Sequence, residues 1–242
     1  MKKKFDIVIP VYNEGDNIIN TINSLLKDVI FEINILIIFD NYADLTLEVI
    51  EKNFSKIEFI KLIKNEGQGA HGAVMTGFKY SQSAGVLVLP ADDDYNSKNI
   101  NKYFEKIIEG YDLVCPSRFT EGGCMVGAPK FKYIIMRTVN LFLYYLIGLP
   151  TKDSTNGFRL FSNDFLNETK IESKEGFTYS LELLTKATLM KKKIIELPAL
   201  WYERKHGNSN FKVFKWAFAY LRWVLFSLKI PYKRLVSFSF NL

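Results

Sequence analysis

Histidine and cysteine are scarce in this chain, two of each among 242 residues. Cys115 and Cys124 form neither a C-x-x-C pair nor a zinc-like spacing. A cysteine-held metal and a disulfide framework are therefore excluded as organising principles, and a reducing compartment is expected. His71 and His206 are the only imidazoles, and there is no G-x-S-x-G elbow. A Ser-His-Asp hydrolase is poorly supported on that count. His71 stands at a helix start and reads as structural. Long apolar runs are missing as well: none approaches the roughly 20 residues of a membrane-spanning helix. The longest candidates are residues 141–149 and the aromatic stretch 213–228, which Lys215 and Arg222 interrupt. The opening MKKKFDIVIPVYNEG has a basic head, but its short apolar segment runs into Pro10 and Glu14, which argues against a signal peptide. Repeats, low-complexity segments and linkers are absent too, so one domain over residues 1–210 with a helical appendage over 211–242 is expected.

What the chain does have is a core and a positive charge. It is 48% hydrophobic and 24% charged, the balance of a globular protein. The net charge of +6, with a pI near 9.1, favours an anionic partner: nucleic acid, a membrane surface or a phosphorylated ligand.

Strand and helix patterns alternate along the first half. Short Ile/Val-rich runs at 5–11, 35–39, 57–63 and 85–89, and another beginning at 112–115, read as buried strands. Helical periodicity covers 17–26, 46–54, 70–81 and 99–108 between them. The second half suggests helices at 130–149, 177–190 and 212–229 and strands at 157–162 and 193–197. This order predicts an α/β fold, a mainly parallel sheet with helices on both faces. Ligands in such sheets bind beyond the carboxyl ends of the strands. The residues there are Pro10 to Glu14, Asp40 and Asn41, the stretch NEGQGAHGAV, the run Asp92-Asp93-Asp94, and Pro116-Ser117-Arg118.

Each of these has a chemical reading. NEGQGAHGAV spells G-x-G-x-x-G, but it follows the third strand rather than the first, so it is not placed as a dinucleotide fingerprint. Three successive aspartates in PADDDYN repel one another and call for a cation or donors. Asp92 and Asp94 can point the same way, and with Asn96 they offer hard oxygens suited to Mg2+ or Mn2+. A solvated turn capping the next helix is the structural alternative. Arg118, Arg137, Arg159 and Arg204 lie near element ends, where guanidinium groups suit bidentate phosphate contacts. On the last helix Lys215, Arg222 and Lys229 recur every seven residues, beside Lys212. A basic stripe on an aromatic helix reads either as lying in a membrane interface or as packing on its own domain or a partner subunit.

Taken in order, these motifs resemble glycosyltransferase family 2, of the GT-A nucleotide-diphospho-sugar transferase fold, and within it the polyprenyl-phosphate glycosyltransferases. IPVYNEGDNI is similar to the family's opening strand and loop. FDNYADLT stands where the family has V-D-D-G-S-x-D-x-T, and NEGQGAHGAVMTGF is similar to its N-x-G-x-G-A helix start. ADDDYN stands at D-A-D-x-Q, and ERKHGNSN at R-x-x-G-x-S-K. SRFTEGG, RTVN and DSTNGFR are similar to segments of the lipid-phosphate subgroup. The resemblance implies that Pro10, Tyr12, Glu14 and Asp40 hold the nucleotide of a GDP- or UDP-hexose, with Asp92 facing its sugar-phosphate part and Asp93 within the nucleotide-sugar site. It implies that Asp94 and Asn96 bind the divalent metal, that Arg204 neutralises the diphosphate, and that Arg118 and Arg137 grip the phosphate of a polyprenyl-phosphate acceptor. Phe39, Asn96 and Asn210 depart from the family pattern. The implied activity is inverting hexosyl transfer on the cytoplasmic face of a membrane, with peripheral attachment and no nucleic-acid partner. A membrane-subunit partner or a homo-oligomer is left open. The alternatives are transfer to a saccharide hydroxyl, with Asp153 or Glu182 as base, and a non-catalytic nucleotide-binding protein.

Overall fold

The computed structural model of the chain describes residues 3–203 and 213–231, with side chains described outside 213–217. Strand β1 (Phe5–Val11) lies parallel to β2 (Ile33–Phe39), with Ile7 opposite Ile35. Beyond β2 lies β3 (Ile60–Lys64), and on the other side of β1 lies β4 (Gly85–Val88), both parallel. Helices α1 (Asn17–Asp28), α2 (Leu45–Phe54) and α3 (Gly69–Tyr80) make the crossovers, and α4 (Ser97–Ile108) leads to β5 (Leu113–Ser117). After a short β6 (Cys124–Val126), α5 (Lys130–Phe142) runs into one π-helical turn, Leu143–Ile147. Then follow β7 (Arg159–Ser162), α6 (Asn163–Glu168), α7 (Thr178–Leu189), β8 (Ile194–Pro198), β9 (Leu200–Tyr202) and α8 (Val213–Ser227).

The seven-stranded sheet has the order β3-β2-β1-β4-β7-β5-β8, and β6 pairs with β9 in a separate ribbon. Alternation along β1 builds both cores. Phe5, Ile7 and Ile9 turn toward Ile18, Ile22 and Leu25 of α1 and toward Ile100 and Phe104 of α4. The Phe5 and Phe104 rings stack at 4.0 Å. Val8 turns the other way, to Ala73 of α3. There α3 touches the sheet directly, since a Cβ built on Gly77 would lie 2.3 Å from Val8 Cγ1. The glycines of NEGQGAHGAV have other duties. Gly67 and Gly72 press against each other, and Gly69 holds a left-handed φ of +61°.

The expected α/β architecture is the observed one, with three differences. The strand read at 157–162 becomes β7, which runs antiparallel between β4 and β5. The helix read over 130–149 turns π-helical at Leu143 and stops at Gly148, whose φ is +84°. The strands β6 and β9, three residues each, have no counterpart in the sequence reading.

No helix among the described residues is long and apolar enough to cross a membrane. Helix α8 packs its Trp223, Tyr220 and Val224 onto the core beneath α7 and turns Phe218, Leu221 and Leu225 outward, with Leu228 exposed just past its end. Packing on its own domain thus occupies one face of the helix and leaves an apolar face exposed. Arg222 and Lys229 are exposed beside that face, whereas Lys212 and the Lys215 side chain lie outside what is described. Helix α5 likewise exposes Phe131, Ile134, Ile135, Val139 and Phe142, spaced as one helical face.

Candidate active site at the carboxyl edge of the sheet

The loop after β1 is shaped by its contact with the next crossover. Asn13 and Gly15 both have positive φ, 53° and 54°. The bend is pinned by Asp44, the N-cap of α2, which accepts from Thr46 N at 2.8 Å and from Asn13 N at 3.0 Å. Thr46 Oγ1 accepts from Glu14 N at 3.0 Å. The result leaves Tyr12 62% exposed, standing over the sheet edge near Pro10 and Glu14. Asp44 and Thr46 are functional-loop anchors without a place among the expected site residues. Their signal was an acid two residues before a threonine at a helix start, an N-cap pattern.

Asp40, at the end of β2, is tied to the glycine stretch. It accepts from Asn65 Nδ2, and from Gly69 N at 3.1 Å. Asn65 Oδ1 in turn accepts from Gly67 N at 2.8 Å and Thr76 Oγ1 at 3.1 Å. Phe39, where the family pattern has an acid, is buried in the core and meets Tyr42 edge-on at 5.2 Å. His71 is buried with Nε2 3.0 Å from Ser173 Oγ, and burial lowers its pKa. This is a structural histidine, as its position at a helix start suggested.

The aspartate run divides in two. Asp93 is buried and accepts from Asn96 N at 3.0 Å and Asn96 Nδ2 at 2.7 Å. Burial pushes its carboxyl up to about 7, against the pull of those bonds. Asp94 is exposed and Asp92 half-buried. Their carboxylates are hard oxygens of the kind a Mg2+ or Mn2+ ion takes while keeping several waters. Asn96 does not join them in this arrangement. It is fully buried, its Oδ1 accepts from Leu200 N at 2.9 Å, and its Nδ2 donates to Leu200 O at 2.9 Å. The amide therefore clamps the start of β9, one strand ahead of the segment that carries Arg204. No cluster of three or more acidic, histidine or cysteine side chains suited to a metal occurs among the described residues. Arg204 itself lies outside them.

Arg118 and Arg137 are brought together on one aromatic ring. Their guanidinium carbons sit 5.4 Å and 4.7 Å from the centroid of Phe119. Arg137 Nη1 is buried without a hydrogen-bond partner. Arg118 is paired with the buried Asp153 through Nε and Nη2, both at 2.7 Å. Burial opposes the charge on Arg118, and the Asp153 carboxylate more than reverses that effect. Glu182 is also buried and engaged, accepting from Glu172 N at 2.7 Å, Ser173 N at 2.8 Å and Lys186 Nζ at 2.7 Å. Both carboxylates proposed as bases for a hydroxyl acceptor are therefore already committed to internal donors.

The chain is 27% identical over 245 residues to a dolichol-phosphate mannosyltransferase of Pyrococcus furiosus, covering 98% of this chain and 67% of that one. It is 26% identical to an undecaprenyl-phosphate mannosyltransferase of Micrococcus luteus, covering 84% and 85%. In fold it is similar to glucosyl-3-phosphoglycerate synthase of Mycobacterium tuberculosis, solved with Mn2+, UDP and phosphoglyceric acid. The TM-score is 0.69 at 14% identity, over 95% of this chain and 80% of that one. The model for glycosyl transferase family 2 matches residues 6–169, from β1 through α6. The chain belongs to glycosyl transferase family 2 and is a glycosyltransferase.

Proposed function

We propose that the protein transfers a hexose, mannose or glucose, from a nucleotide sugar to a polyprenyl phosphate, with inversion at the anomeric carbon. The observation that carries this reading is the pair Arg118 and Arg137 on the Phe119 ring, two guanidiniums suited to one phosphate. The engagement of Asp153 and Glu182 supports it, because a hydroxyl acceptor needs a free base. A phosphate monoester needs none: its second pKa is about 6, so it is largely a dianion near neutrality. An acceptor oxygen attacks the anomeric carbon as the bond to the nucleoside diphosphate breaks on the far side. The arginines hold the acceptor phosphate in line, and Tyr12, Glu14 and Asp40 orient the nucleotide. A divalent ion held by Asp94, with Asp92 adjacent, would neutralise charge on the diphosphate. Arg204 is proposed to act on the same charge.

The test offers the enzyme one labelled nucleotide hexose with polyprenyl phosphate or with a panel of saccharides. Label is expected in a lipid product, and turnover on saccharides alone would overturn the reading.

The exposed apolar faces of α5 and α8 support attachment to a membrane surface, where such an acceptor resides, with Arg222 and Lys229 facing anionic headgroups. Flotation with vesicles containing phosphatidylglycerol should fall several-fold between about 0.05 and 0.5 M salt, as screening shortens the reach of those charges. Salt-independent flotation, or none at low salt, would refute the electrostatic part.

A further inference from the structure

We infer that Asp153 is a positioning residue that sets Arg118 for the acceptor phosphate, that Asn140 holds the loop on which Asp153 stands, and that Asp153 takes no proton in the reaction. The inference deepens the proposed function and rests on it. Asp153 is fully buried, and its carboxylate is spent on one partner. Oδ1 accepts from Arg118 Nη2 at 2.7 Å; Oδ2 accepts from Nε at 2.7 Å and from the Arg118 backbone N at 3.0 Å. This side-on fork fixes the plane of the guanidinium and leaves Nη1 outside the pair.

Asn140, three residues beyond Arg137 on α5, braces the same arrangement from the helix. Its Oδ1 accepts from Ser154 N at 2.7 Å and Thr155 N at 3.3 Å, and its Nδ2 donates to Thr155 Oγ1 at 3.1 Å. The loop it grips is the one that carries Asp153. That loop is anchored from below as well: Arg159 donates to the Asp153 carbonyl, and Glu196 accepts from Thr151 Oγ1 at 2.7 Å and Lys152 N at 2.6 Å. Arg118 is thus referred through Asp153 to a loop that α5 holds through Asn140, and neither Asp153 nor Asn140 needs to touch the substrate.

A double-mutant cycle on the full chain tests this, with steady-state KM for polyprenyl phosphate and for the nucleotide sugar measured separately. Asp153→Asn keeps the shape of the side chain and removes its charge. It should raise the acceptor KM about tenfold or more and leave the nucleotide-sugar KM within twofold. In the Arg118→Ala background the same substitution should change the acceptor KM less than twofold, because the group it orients is gone. The pH dependence of kcat in Asp153→Asn should keep the wild-type shape. A kcat loss with unchanged acceptor KM and a lost acidic limb would make Asp153 a base and overturn the inference, since a base is lost by protonation at low pH; additive effects in the cycle would also overturn it. If Asp153→Asn does not fold, the cycle of Asn140→Ala with Arg118→Ala decides by the same criterion, because Asn140 holds the loop from which Asp153 orients Arg118. Wild-type enzyme that ignores polyprenyl phosphate refutes the reading of the reaction itself, a result distinct from either of these.

Discussion

Asp94→Ala should lower hexosyl transfer by about 10²–10³-fold, the range expected when one preorganised electrostatic group is removed from a developing charge. The residue is suited to this test because its side chain is exposed at the sheet edge, so nothing in the core depends on it. The melting temperature should stay within about 2 °C of wild type, as for most surface substitutions. Binding of Mn2+ in the presence of nucleoside diphosphate, followed by electron paramagnetic resonance, should weaken in parallel. Asn96→Ala should behave in the opposite way, losing stability through the freed Leu200 backbone groups more than metal affinity. A variant at Asp94 that retains a tenth of wild-type activity would remove that carboxylate from the proposed role.

Gly77→Ala should lower the melting temperature by roughly 4–8 °C, although alanine is the better helix former. Helix propensity alone would favour the change by about 1 kcal/mol. Against that, the new Cβ would stand 2.3 Å and 2.7 Å from the two γ-carbons of Val8 and 3.1 Å from its Cβ. Valine is stiff at χ1, so no rotamer clears all three contacts and either α3 or β1 must shift. Overpacking of this kind costs up to about 3 kcal/mol, leaving a net loss of about 2 kcal/mol. For a chain of this size that converts at about 2–4 °C per kcal/mol. Calorimetry checks the value, and Val8→Ala in the Gly77→Ala background should recover most of it. An unchanged or raised melting temperature in the single variant would mean that helix and strand do not meet as closely as described.

The sequence made the first five strands of the sheet legible because each is a short run of Ile, Val or Leu bounded by polar loops, and its helices because their apolar residues recur on one side. It left β6 and β9 unseen, since three residues carry too little periodicity to stand out. The direction of β7 was equally hidden: RLFS is compatible with either sense, and only its neighbours β4 and β5 fix it. The site divides on similar lines. Loop positions of Tyr12, Asp40, Asp94 and Arg118 follow from strand ends. The partners Asp153 for Arg118, 35 residues away, and Leu200 for Asn96, 104 residues away, follow from tertiary structure alone. Asn96 was read as a ligand because its amide carries an oxygen. That the oxygen would be claimed by a backbone N–H from β9 has no local signal.

The late arrival of β7 has a consequence for how the chain is made. During synthesis β1 to β4 can pair as soon as residue 88 emerges, but β4 gains its outer neighbour only with residues 159–162. For some seventy residues of translation the fully buried strand GVLV would stand as an open sheet edge, the kind of surface that recruits other strands. A fragment ending after β5 should therefore aggregate, and adding residues through 162 should be what restores its solubility.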